Sequence, residues 1–405
     1  MNNVVIKPEI LLPKNVDWEK WAVIACDQFT SQPDYWEKLA LFVGDSPSTL
    51  KIIFPEVYLE KGMEERVQNI NETMKSYLSD GLFEKVNGFV LTERTVANGA
   101  KRKGLIVAVD LEQYDYHRVR AGIRATEDTI ESRLPVRMEI RKDAPLELPH
   151  IILLIDDVEK TVIEPLYEKR EKMRKLYDFD LNMNGGHIVG YEVKDAENVI
   201  EKINALGDKD LQVKKYGTDA GIILAVGDGN HSMATAKKHW DNLKTTLSEA
   251  ERENHPARYA LAEILNIYDE GLIFEPIHRV ILNGGKEVAD ILKKELKGDG
   301  VLTLLTEEGE ISLPCPAKSS ETITAVQGVI EKYSSVYGWE VDYVHGKEHL
   351  ASVTAEKGVG ILMPCFAKSE LINYVVNCGN LPKKAFSIGT AENKKYYIEA
   401  KRIVK

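Results

Sequence analysis

Asp228, Asn230, His231 and Ser232 fall within five positions of one another, in a loop with Gly227 and Gly229 that follows the apolar run Ala220–Val226. Those residue types suit phosphate chemistry. Glycines let the backbone approach a ligand closely, and the amides of a helix start attract an anion. A carboxylate such as Asp228 takes a proton or holds Mg²⁺, and an imidazole such as His231 contacts phosphate. The same residues also read as an ordinary helix start, with Asp, Asn and Ser satisfying its orphan amides. Neither the Gly-Lys-Ser/Thr phosphate loop nor a complete dinucleotide fingerprint occurs, so nucleotide binding of those two kinds has no support.

Other candidates lie far from this loop in sequence. Arg120, Arg124, Arg133, Arg137 and Arg141 crowd around Thr126-Glu127 and would make either an anion-binding edge or a solvated face. Arg124, Thr126 and Glu127 bring a guanidinium, a hydroxyl and a second candidate base together. His278-Arg279 sits in an apolar stretch and reads as structural or as a substrate and phosphate contact. Asp27, Gln28, Thr30 and Ser31 follow a short apolar strand, where turn and cap roles compete with substrate contact. His150 precedes a buried strand and reads mainly as structural, and Asp156 and Asp157 read as helix-start acids.

The elements that must position these groups alternate. Helical spacing runs over Pro33–Val43 and Met63–Leu78, and Asn98-Gly99 suits the turn of a hairpin between Gly88 and Leu111. Ile151–Ile155 reads as a buried strand, with a long amphipathic stretch after it to about Tyr177. A strand near His187–Val193, a helix over Asp195–Leu206, the strand Ala220–Val226 and a helix through Trp240 follow. This order predicts a mixed α/β (α+β) fold with a central sheet and flanking mixed lobes, divided as 1–150, 151–284 and 285–405. Pro314-Cys-Pro-Ala-Lys-Ser319 is echoed fifty positions later as Pro364-Cys-Phe-Ala-Lys-Ser369, which predicts two strand–loop–helix units with Ser319 and Ser369 as caps.

Composition narrows the function classes. The 405 residues are 43% hydrophobic and 29% charged, proportions of a globular protein with room for a deep core. A net charge of −11 argues against nonspecific grip on nucleic acid. No apolar run approaches the length of a membrane span, and residues 1–13 carry no signal-peptide core, so a cytoplasmic protein is expected. The four cysteines form no Cys-x-x-Cys pair, so they read as free thiols and no zinc is expected.

Over nearly its whole length the sequence resembles the family catalogued as domain of unknown function 1015. The resemblance rests on Ala25-Cys-Asp27-Gln28-Phe-Thr30-Ser31-Gln32, Arg124-Ala-Thr126-Glu127, Glu147-Leu-Pro-His150, the Asp228–Ser232 loop, Phe274-Glu-Pro-Ile-His278-Arg279, Asp342-Tyr-Val-His345-Gly346 and Leu381-Pro-Lys-Lys384-Ala-Phe-Ser387-Ile-Gly389. That family's loop reads Asp-Gly-His-His-Arg and is similar to the loop of ParB-like domains, a superfamily with nucleotide-hydrolysing partition proteins, sulfiredoxin and free-serine kinases. Asp228, Gly229 and His231 match it. Asn230 replaces a His, and Ser232 replaces the Arg whose guanidinium would bind phosphate in a fork.

The resemblance implies a nucleotide-dependent phosphotransferase that uses ATP or ADP with Mg²⁺ on a small hydroxyl metabolite, free serine above others. In that reading Asp228, His231 and Glu127 are catalytic, with Asp228 also the Mg²⁺ ligand. Gly227, Gly229, Asn230, Ser232, Arg124, Thr126 and Arg279 bind phosphate or nucleotide, and Asp27, Gln28 and His278 touch substrate. Hydrolysis of a nucleotide or phosphoester, and a noncatalytic nucleotide or amino-acid sensor, are the alternatives. The missing loop arginine predicts a replacement cation, with Arg124 and Arg279 as the candidates.

Overall fold

A computed structural model of the chain describes residues 3–405 except 60, 61, 97, 98, 118, 119, 130, 149 and 357, with backbone alone at 133 and 356. The chain divides into two compact units. Unit 1 comprises residues 1–125, 129–272 and 391–405, and unit 2 comprises 126–128 and 273–390.

Unit 1 is built on a mixed sheet of nine strands: β1 (Val5–Ile6), β2 (Phe89–Thr95), β3 (Lys101–Asp110), β4 (Ile123–Arg124), β5 (Ile152–Ile155), β6 (Lys175–Leu181), β7 (Gly186–Val193), β8 (Leu224–Asp228) and β9 (Tyr259–Asn266). The spatial order is β6-β7-β2-β3-β9-β5-β8-β4, with β1 also paired to β3. The β9–β5 and β8–β4 pairs are parallel and the others antiparallel. All four residues of β5, and Leu224, Ala225 and Val226 of β8, are buried, as expected for central strands covered on both faces. Strands from both sides of residue 150 interleave in this one sheet. Residues 391–405 return to the same unit, where Tyr396–Tyr397 pairs with Val23–Ile24 and Lys401–Arg402 with Leu146–Glu147.

The helices of unit 1 used below are α1 (Pro33–Val43), α2 (Met63–Ser79), α3 (Leu134–Arg141), α4 (Ala196–Ala205) and α5 (Asn230–Leu243). The mixed α/β class, the helical spacing over residues 33–43 and 63–78, and the hairpin between Gly88 and Leu111 agree with the sequence. Asn98 of the expected turn lies outside the described residues. The stretch up to Tyr177 does not form one long helix. It gives a five-residue helix, Glu164–Glu168, and then β6, because Tyr177, Phe179 and Leu181 recur with the period of a strand. Asp157 takes the amides of Thr161 and Val162 in a turn, while Asp156 faces Lys215, Tyr216 and Tyr268.

Unit 2 carries an antiparallel five-stranded sheet of β10 (Ile277–Ile281), β11 (Gly300–Thr306), β12 (Gly309–Cys315), β13 (Val341–His345) and β14 (Val359–Leu362), ordered β12-β11-β14-β10-β13. The echoed hexapeptides do lead from strands into helices, α6 (Ser319–Tyr337) and α7 (Lys368–Cys378). The two serines do not cap their own helices. Instead Ser319 Oγ accepts from the Ala367 amide at the start of α7, and Glu370 accepts from the Ser320 amide at the start of α6. Each helix start is satisfied by a side chain of the other.

Candidate functional site

The β8–α5 junction is shaped by two glycines. Pairing of β8 with β5 runs Ala225 to Leu154 and Val226 to Leu153, then jumps to Asp228 opposite Ile152, so Gly227 forms a bulge that re-aims Asp228. Gly229 follows with φ of 80°, the left-handed conformation, and serves as the cap residue of α5. A Cβ there would lie 3.0 Å from the Ile151 Cα. Gly229→Ala is therefore expected to cost unit 1 on the order of 2 kcal/mol, from the positive φ and the backbone clash together. Urea unfolding checks it, and an unchanged midpoint would show that the loop relaxes at no cost.

Having no side chain, Gly229 offers nothing to the amides of Asn230, His231 and Ser232, and the first turn of α5 carries no acid. Asp228 does not cap the helix either. Its Oδ1 accepts from the Gly229 amide at 2.9 Å and its Oδ2 pairs with Lys394 Nζ at 2.9 Å. Asn230 Oδ1 is buried without a hydrogen-bond partner among the described residues, a position where an incoming donor would be received.

A second cluster adjoins this helix start. His150 Nε2 lies 3.4 Å from Ser232 Oγ and 3.3 Å from Asp27 Oδ2, and its Nδ1 is 2.7 Å from the Tyr397 hydroxyl. Ser232, His150 and Asp27 are the residue types of a hydrolytic triad, but the serine and the acid share one nitrogen. A triad needs them on opposite nitrogens, so that the ring can accept the serine proton while the acid orients it. The arrangement is an imidazole–carboxylate pair with a hydroxyl alongside.

Burial works against charge on both partners, yet the pairing outweighs it: His150, Gln28 and Lys394 hold the Asp27 carboxyl below its usual range, and Asp27 raises the His150 imidazole. Cys26 is bonded to the Tyr397 hydroxyl at 3.2 Å, and burial together with Asp27 and Glu56 pushes its thiol up to about 12. It stays protonated and is no nucleophile.

The structure brings together Asp27, Gln28 and the Asp228–Ser232 loop. Arg124 lies on β4, its Cα opposite Ala225, and burial lowers its pKa. Thr126 and Glu127 belong to unit 2, where the Thr126 carbonyl accepts from the Leu381 amide and Glu127 from the Ala385 amide. His278 and Arg279 are on β10 of unit 2. His278 Nδ1 accepts from the Met363 amide at 3.1 Å, and Arg279 is completely buried, bonded to the Ile277 carbonyl and stacked 5.3 Å from the Tyr343 ring. Those are contacts within and at the edge of the unit 2 sheet.

The arginine set is not one anion-binding edge. Arg120, Arg137 and Arg141 pair separately with Asp219, Glu56 and Glu147, and the Arg133 side chain lies outside the described residues. Sequence reasoning missed Lys394 and Tyr397 altogether. A Pro-His immediately before a buried strand was the available signal for His150, whereas nothing local marks Lys394 or Tyr397.

No three His, Cys, Asp or Glu side chains among the described residues come together as a metal site. Asp228, the Mg²⁺ ligand expected from sequence, is already paired with Lys394, so the donor set does not fit a cation held by the protein itself. No helix of the described residues is long and apolar enough to cross a membrane.

Fold and site together define a mixed α/β protein with a polar cluster at the end of a central strand. The chain belongs to the family described as protein of unknown function (DUF1015), whose model matches residues 9–357. No curated protein sequence matches it. Among solved structures it is similar to a free serine kinase mutant in complex with AMP, at 14% identity and a TM-score of 0.38, covering 72% of this chain and 90% of that one. A different free serine kinase mutant in complex with ADP gives 13% identity and a TM-score of 0.39 over equal shares. A conserved hypothetical protein from Pyrococcus furiosus gives 14% and 0.34, covering 69% of this chain and 89% of that one.

Proposed function

We propose that the protein is a nucleotide-dependent phosphotransferase acting on a small hydroxyl metabolite, with the β8–α5 junction of unit 1 as its phosphate site. The observation that supports this most is the meeting of Asp228 and Lys394 with a glycine-capped helix start at the end of a buried strand. ATP or ADP is the donor and free serine the first acceptor to test. The Asn230–Ser232 amides and His231 hold the transferred phosphoryl group, Lys394 holds Asp228 in place, and Asp228 takes the proton of the acceptor hydroxyl. The acceptor oxygen bonds to phosphorus as the bond to the nucleotide's bridging oxygen breaks, and the shortened nucleotide leaves.

The test is turnover of the purified chain with ATP or ADP, with and without serine. Phosphorylated serine and the shortened nucleotide in equal amounts are expected. Release of inorganic phosphate without acceptor would make it a hydrolase, and saturable binding without product a sensor. Neither binding nor turnover with any nucleotide would overturn the reading.

A further inference from the structure

We infer that His150 is a binding residue of this site: its imidazolium and the Ser232 hydroxyl together receive a terminal phosphate oxygen of the nucleotide at the start of α5. This rests on the phosphate-site reading above and names the group that supplies its positive charge. From Gly227 to Ala236 the loop and first helical turns contain one fixed charge, the negative Asp228, and Lys394 neutralises it. Helix amides alone carry only partial charge, so a phosphate here needs a cation from elsewhere in the fold.

His150 is placed to be that cation. Its side chain is 8% exposed, and Tyr397 fixes the ring through Nδ1 at 2.7 Å. Tyr397 is in turn held by the Cys26 amide and sulfur, each at 3.2 Å. By contrast, both contacts of Nε2 are long, 3.3 Å to Asp27 and 3.4 Å to Ser232, beyond the usual range for a committed hydrogen bond. One N–H is shared between two distant acceptors. An anionic oxygen arriving between Ser232 and the ring would take it at shorter range, with Asp27 left to keep the ring charged.

Asp228 and Glu56 also act on His150 electrostatically, and both favour its charge. Glu56 is itself paired with Arg137, and Lys394 acts on Asp27. The His150 imidazole is raised above 6.5, so its charge is complete below 6.5 and is lost as pH rises through the raised value. Nucleotide binding should weaken in that direction.

The experiment is calorimetric titration of the full chain with ATP at pH 7 and pH 9, a window above the phosphate ionisation near ~6, so the ligand's own charge is constant. Wild type should bind less tightly at pH 9, by up to about tenfold, the scale of one charge-assisted hydrogen bond. His150→Gln should lose about tenfold at pH 7 and show a flat pH profile. Ser232→Ala, at a half-buried helix position, should lose a few-fold and keep the pH dependence; it carries the test if His150→Gln does not fold. Equal affinity in wild type and His150→Gln overturns the assignment while leaving the phosphate site standing. So does a pH dependence that survives in His150→Gln, which would belong to another group. Wild type that binds ATP at neither pH overturns the phosphate site itself.

Discussion

Asp228→Asn is expected to leave the fold intact and lower phosphotransfer by at least ~100-fold, the scale of a lost general base. Asparagine keeps the shape of the side chain and can still accept the Gly229 amide through its oxygen, so the bulge and the start of α5 should persist. What disappears is the charge. The carboxylate can no longer take a hydroxyl proton, and Lys394 loses the partner that holds it 2.9 Å away. The second effect offsets part of the first for binding, because a released ammonium is available to phosphate. The signature is therefore a fall in kcat with nucleotide affinity unchanged or improved. Unchanged turnover in a folded variant would return Asp228 to a structural role.

The β8–α5 junction was legible because its cause is local. An apolar strand, a bulge glycine, a left-handed glycine and a helix start are all written within fifteen residues, Gly221–Thr235, and the structure reproduces their order. Asp27 was visible for the same reason, as a polar residue directly after a short strand. The partners that complete the site are joined by topology. Lys394 reaches Asp228 across 166 residues and Tyr397 reaches His150 across 247, because the last segment of the chain pairs with Val23–Ile24. No periodicity or motif specifies such a return.

Arg279 is the converse case. Beside His278 in a short strand it reads as structural or as a ligand contact, and a residue so flanked by apolar neighbours is drawn inward, with its donors turned to Gln327 and the Ile277 carbonyl. The long amphipathic stretch before Tyr177 does not become one helix for a related reason, since its acidic start and basic end suit a helix dipole but do not distinguish a helix from a turn followed by a strand.

Arg94→Met should be the most destabilising single change in unit 1, by about 3–5 kcal/mol, the cost of removing one member of a buried charged network. Arg94 sits on β2 in a run of buried residues, with its guanidinium donating to the carbonyls of Gly185, Glu392, Asn393 and Lys394. Burial, with Arg102 nearby, pushes that guanidinium down to about 9, so it remains charged at neutral pH. Methionine would fill much of the volume but remove the Arg94 donors from the Gly185, Glu392 and Lys394 carbonyls and part of the charge that faces buried Glu263, while Arg102 still donates to the Asn393 carbonyl. The one local hint of this network is Gly104, where a Cβ would lie 2.2 Å from a Glu263 carboxylate oxygen. Because three of the gripped carbonyls belong to residues 392–394, the same arginine fixes the stem of Lys394 and, three residues on, the Tyr397 hydroxyl against His150. Position and contact can then be separated. Arg94→Met should lower the urea midpoint and nucleotide affinity together, whereas Lys394→Met, which leaves the carbonyl grip in place, should lower affinity with a midpoint close to wild type. An Arg94→Met protein that unfolds like wild type would show that the segment is held without this arginine, by its pairing with Val23–Ile24 and Leu146–Glu147.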